Sequence, residues 1–135
     1  MRYIPTVYQD VNSNDDDFSR EVFGELVIHK IKFTRATYKE AVEFKNKVIN
    51  DIAKNNLKII VDLSLCDYID STFLGALVIM LKKISERGGE IKYVSPSPGA
   101  LYLFKLTGLT GVFNLYRTAQ DAIDSFEYPS IEALQ

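Results

Sequence analysis

Ile59-Ile60-Val61-Asp62-Leu63, then Ser64 to Asp67, then Asp70-Ser71-Thr72-Phe73-Leu74-Gly75 form the stretch from which the fold of this 135-residue chain can be read. The first five residues are a β-branched run of the kind that makes a buried strand. Ser64 to Asp67 reads as a loop, and downstream Leu74, Leu77, Val78, Leu81 and Ile84 recur at the spacing of one helix face. Asp70 and Ser71 therefore fall at the N-cap and first turn. Backbone amides there lack intrahelical acceptors, and the helix dipole favours negative charge. Capping explains an Asp-Ser pair at this place without further assumption. A hydroxyl held where it can be read or modified is the second reading of the same residues.

Working outward, Ser19 to Phe23 and Leu26 to Phe33 flank Gly24-Glu25, which predicts two strands joined by a tight turn. Thr37 to Ala53 predicts a helix, with Ala41, Phe44, Val48, Ile49 and Ile52 on one face and Lys39, Glu40, Glu43, Lys45 and Lys47 on the other. Gly88-Gly89 stops the helix that follows Ser71, and Ile91 to Val94 makes a further strand. Ser97-Pro98 offers an N-cap followed by proline at the first helical position, opening a short helix that Gly108 closes. Phe113 to Arg117 reads as a last strand, and Thr118 with Asp121 three residues on starts a last helix through Phe126. Strands alternating with helices imply a largely parallel sheet with right-handed crossovers. Residues 3–8 have the pattern of a short strand, but the acidic run Asn12 to Asp17 reads as a loop. The expected organisation is an N-terminal extension over 1–16, one domain over 17–127 and a tail over 128–135.

Composition narrows the function classes. Sixteen basic and eighteen acidic residues, for a formal net charge of −2, lie spread along the chain, without the concentrated basic stripe that direct nucleic-acid binding requires. Cys66 is the only cysteine, so no intrachain disulfide or CxxC pair exists, in keeping with a reducing cytoplasm; its simplest reading is a small buried hydrophobe. No signal-peptide pattern and no run of about eighteen apolar residues occurs, so no membrane span is expected.

The inventory for catalysis is thin. His29 is the only histidine, and its place on a strand beside Val27, Ile31 and Phe33 suits a core-edge residue better than a general base. A Ser71 nucleophile needs a base and an oxyanion site, and Gly-x-Ser-x-Gly is absent. Gly88-Gly89 and Gly108 to Gly111 match no phosphate-binding or dinucleotide fingerprint, and Asp15-Asp16-Asp17 lacks the ligand spacing of a calcium loop. No catalytic residue, cofactor or metal is assigned. The helix after Ser71 is more informative. If Leu74 to Ile84 bury one face, then Gly75, Ala76, Ile79, Lys82 and Lys83 face outward, with Phe73 and Met80 at the margin, which suits protein docking. One stray exposed isoleucine is the plainer account of the same pattern.

Several motifs occur in order: Val61-Asp62-Leu63-Ser64, Tyr68-Ile69-Asp70-Ser71-Thr72, Leu74-Gly75-Ala76-Leu77, Gly88-Gly89-Glu90, and Leu106-Thr107-Gly108-Leu109 before Val112-Phe113. On these the chain resembles the STAS domain, the sulfate transporter and anti-sigma factor antagonist module, from Ile59 to about Phe126, with residues 18–58 similar to the family's opening hairpin and first helix. The resemblance implies an α/β fold with a mixed, mostly parallel sheet of roughly four or five strands and about four helices. It also implies a bacterial, cytoplasmic, non-enzymatic regulator of transcription. In anti-sigma factor antagonists of this kind the serine after the aspartate is phosphorylated by an anti-sigma factor that is also a serine kinase. The unmodified protein captures that partner, phosphorylation releases it, and a phosphatase resets the switch. By this resemblance Ser71 is the acceptor and Thr72 a weaker one, while Asp70, Ser71, Thr72, Phe73, Gly75, Ala76, Ile79, Lys82 and Lys83 meet the partner. Phe73 departs from the family pattern, which usually has glycine there, and a marginal ring is expected either to obstruct a kinase or to fill a pocket on a different partner. The alternative implied is a non-phosphorylated STAS module in a signalling or transport complex, with Phe73 and Ile79 in permanent contact. Oligomeric state is not specified.

Overall fold

The computed structural model describes residues 17–109 and 111–127; the expected strand at 3–8 and the tail over 128–135 lie outside the described residues. Strands β1 (Phe18–Phe23) and β2 (Leu26–Ile31) form the expected antiparallel hairpin, with Gly24 at φ +62° in its turn. A two-residue strand β3 (Arg35–Ala36) leads into helix α1 (Tyr38–Ala53). Then come β4 (Lys58–Asp62), a second short strand β5 (Tyr68–Ile69) and helix α2 (Ser71–Glu86). Strand β6 (Glu90–Val94), helix α3 (Pro98–Leu106), strand β7 (Leu115–Tyr116) and helix α4 (Ala119–Glu127) complete the order. The main sheet runs β1-β2-β4-β6-β7, parallel except for the hairpin, while β3 and β5 pair in parallel as a separate two-stranded ribbon.

Period-two alternation sorts the strand side chains onto two faces. Val27, Ile31, Ile59, Val61, Ile91 and Tyr93 enter the main core beneath α1 and α2, whereas Ile28, Ile60 and Val94 enter a smaller one with Ala122 and Ile123 of α4. Both faces of the central strand β4 are thus covered, which is why Ile59, Ile60 and Val61 at its centre are consecutive apolar residues. His29 and Asp51 extend the main face as a buried polar pair: His29 Nε2 donates to Asp51 Oδ2 at 2.7 Å. Arg20 holds the same carboxylate through two nitrogens, at 3.0 and 2.8 Å. Burial pushes the Asp51 carboxyl up, but the hydrogen bonds and charges of His29 and Arg20 outweigh it and hold the group far below the usual carboxylate range.

Helix α2 ends as its glycines predict. Gly88 takes φ +76°, and Gly89 lies so close to Leu57 that an added Cβ would stand 2.6 Å from the Leu57 carbonyl oxygen. The rotation of α2 differs from the sequence expectation. Leu74, Leu77 and Ile84 are buried as expected, but Phe73, Ala76 and Met80 are buried too, Val78 and Leu81 are only half-buried, and the buried arc is turned by roughly 60° from the expected one. Phe73 and Ala76 therefore do not lie on the outward surface. The cause is that α2 packs on both the sheet and α1, so a second row of side chains goes inward.

Candidate functional site

Asp70 organises the N-terminal end of α2. Its Oδ1 accepts from the Phe73 amide at 2.8 Å, closing the N-cap, and its Oδ2 accepts from the Tyr38 amide at 2.8 Å in the first turn of α1. One carboxylate thereby satisfies an orphan donor on each of two helices. The Asp70 amide donates to the Ala36 carbonyl at 2.9 Å, continuing the ribbon of β3 and β5 up to the helix start. Thr37 supplies α1 with its own capping box: its Oγ1 accepts from the Lys39 amide, and its amide donates to the Glu40 carboxylate at 3.0 Å. The capping expectation for Asp70 is met, and it serves two helices.

Ser71 and Thr72 are the first two residues of α2, and both side chains are exposed. From Ser71 an outward stripe runs through half-buried Gly75 and exposed Ile79, Lys82 and Lys83, as the sequence predicts for these residues. Phe73 turns away from this surface with 0% exposure. Its ring stacks on Phe44 (centroids 5.7 Å apart) and meets Phe33 edge-on (6.3 Å); Phe18 contacts both Phe44 and Phe33 at 5.3 Å, closing a ring of four aromatics. A side chain so placed neither blocks access to Ser71 nor reaches into a partner's pocket.

Three groups at this end escaped the sequence reading. Arg35 and Tyr68 face each other across the short ribbon, with the guanidinium 4.3 Å from the ring centroid, and Tyr38 stands 64% exposed beside Asp70. Two-residue strands carry no periodic signal, so nothing in the pattern announced the ribbon. The β4–β5 loop is fixed by the Ser64 amide on Asp62 Oδ1 and by Cys66, whose carbonyl accepts from Ser97 at the start of α3. Burial, with Asp62 and Asp67 adding to it, pushes the Cys66 thiol up to about 12, so it is the inert core residue expected.

The geometry also disposes of a Ser71–His29 hydrolase. His29 is tied to Asp51 in the last turn of α1, whereas Ser71 adjoins the Asp70 carboxylate that holds the first turn; the helix between spans about 20 Å. Among the described residues no helix is long and apolar enough to cross a membrane, and no cluster suits a metal ion.

A STAS domain model matches residues 24–122, and the chain belongs to that family of α/β domains. The anti-sigma-B factor antagonist of Bacillus subtilis (strain 168) is 24% identical over 114 residues, covering 84% of this chain and 94% of that protein. The crystal structure of tm1081 from Thermotoga maritima matches with a TM-score of 0.74 and 29% identity over 82% of this chain and 94% of that one. The Bacillus cell fate determinant SpoIIAA in its phosphorylated form matches with a TM-score of 0.64 and 22% identity, over 81% of this chain and 98% of that one.

Proposed function

We propose that this protein is an anti-sigma factor antagonist that binds an anti-sigma factor with serine-kinase activity and is switched by phosphorylation at Ser71, with Thr72 the weaker acceptor. The observation that carries the reading is the exposed Ser71 hydroxyl on the first turn of α2, beside an outward stripe of Gly75, Ile79, Lys82 and Lys83. The kinase transfers the terminal phosphoryl group of ATP to Ser71 Oγ, the hydroxyl proton passing to the kinase and ADP leaving. A phosphatase restores the hydroxyl by hydrolysis. The product phosphate sits at a helix N-terminus, where free amides and the dipole favour it, so the fold tolerates it and the effect falls on the partner surface. SpoIIAA supports this by analogy: its unphosphorylated and phosphorylated structures match this fold with TM-scores of 0.67 and 0.64. The buried Phe73 removes the obstacle to kinase recognition and, equally, half of the contact that the non-phosphorylated module requires. Incubation with the cognate anti-sigma factor kinase and ATP, followed by mass-spectrometric mapping, tests the reading. Phosphate on Ser71 is expected, constitutive binding by Ser71→Ala and weak binding by Ser71→Asp; absence of phosphate on both Ser71 and Thr72 overturns the switch.

A further inference from the structure

We infer that α4 is a strap over the second face of the sheet, opening as a unit while the main core stays folded, and that the buried ammonium of Lys92 sets how readily it opens. The cluster that α4 closes is separate from the main core, and of its own side chains only Ala122 and Ile123 are buried. Ala119 and Phe126 add partial contacts. So small an apolar anchor holds a helix less firmly than the packing of α1 and α2 around Phe44, Leu77 and Met80. The strand that leads into it is short as well, since β7 pairs with β6 over two residues.

Lys92 lies under this helix. Period two puts it on the second face with Val94, opposite Ile60 of β4, and it is 5% exposed. Its Nζ donates to Ser125 Oγ at 2.7 Å and stands 4.0 Å from the Phe126 ring centroid and 5.6 Å from that of Tyr116. Among the described residues it forms no ion pair with a carboxylate. The carboxylates of α4 are engaged elsewhere or point to water: Asp124 accepts from the Gln120 amide group, and Asp121 and Glu127 are exposed. Buried Asp51, by contrast, is met by both His29 and Arg20. One hydroxyl and two rings do not replace the hydration of an ammonium, so burying Lys92 works against the docking of α4, and opening returns the charge to water. Ser125 keeps a partner either way, because its hydroxyl donates to the Ala122 carbonyl at 2.7 Å within the helix.

Amide hydrogen exchange of the full chain across a urea series, with wild type, Lys92→Met and Ser125→Ala, tests this. In wild type the amides of Ile123 to Phe126 are expected to exchange at least about tenfold faster than those of Phe44 and Leu77, with a urea dependence that is clear but smaller than theirs. Lys92→Met should slow exchange in α4 about tenfold, because an apolar chain of similar length removes the buried charge and strands no partner. Ser125→Ala takes away the acceptor of the ammonium and should speed it. Equal rates and urea slopes in α4 and the main core overturn the inference, since α4 then opens only with the whole fold. Exchange from α4 without any urea dependence overturns it too, being no more than fraying of a helix end. Unchanged or faster exchange in Lys92→Met does the same, because the ammonium is then neutral to the helix or a clamp on it.

Discussion

A phenyl ring at the third position of α2 lies within a closed set of four aromatics, so its removal is a core mutation although it sits two residues from an exposed hydroxyl. Phe73→Ala should cost about 3 to 5 kcal/mol in urea unfolding, the range for deleting a buried phenylalanine, while Ser71 stays exposed. Phe73→Gly should cost at least as much and should not act as a selective binding mutant. Asp70→Ala loses a cap on α2 and the acceptor for Tyr38 on α1, and about 2 kcal/mol is expected by the same measurement. The capping role of Asp70 was legible because it depends on local residue order. Its second partner was not, since Tyr38 is 32 positions away and nothing local links them.

At the scale of elements, the hairpin, α1, β4, β6 and the starts of α2 and α3 were legible because each has a period and a punctuating residue: Gly24, Thr37, Ser97-Pro98, Gly88. The rotation of α2 was not, because an apolar arc wide enough for two neighbours has no unique centre in sequence. The short strands β3 and β5 failed for want of length, and the Arg35–Tyr68 pair went with them. The junction of β1, β2 and α1 carries a pH-dependent prediction. Asp51 is held below its ordinary range, so its contribution to stability is complete above the unfolded value of about 4 and is lost as pH falls through the depressed folded value. Wild type should therefore lose stability steadily below about pH 4 in denaturant titrations, and Asp51→Asn should follow a shallower curve. At pH 7, Asp51→Ala should cost about 3 kcal/mol, because His29 is left buried without its acceptor. Gly89→Ala should also destabilise, by about 1 to 3 kcal/mol, since the Leu57 backbone cannot retreat from a new methyl group.

For the molecule as a whole, the exposed Ser71 hydroxyl and the main core meet through the first turn of α2, so charge added at Ser71 should leave folding intact and, on the proposed function, change association. Ser71→Asp is expected to unfold within about 0.5 kcal/mol of wild type, on the stabilising side, in the same urea assay that resolves Phe73→Ala. A large loss of stability would place the effect in the fold. The Asp70 carboxylate, bonded at once to the Phe73 and Tyr38 amides, has a kinetic consequence. With both helix starts fixed before any encounter, the proposed partner would meet a finished surface, with no slow conformational step before capture. Association should then follow single-exponential kinetics whose rate rises linearly with partner concentration, and the gap between unmodified and phosphorylated protein should reside mainly in residence time.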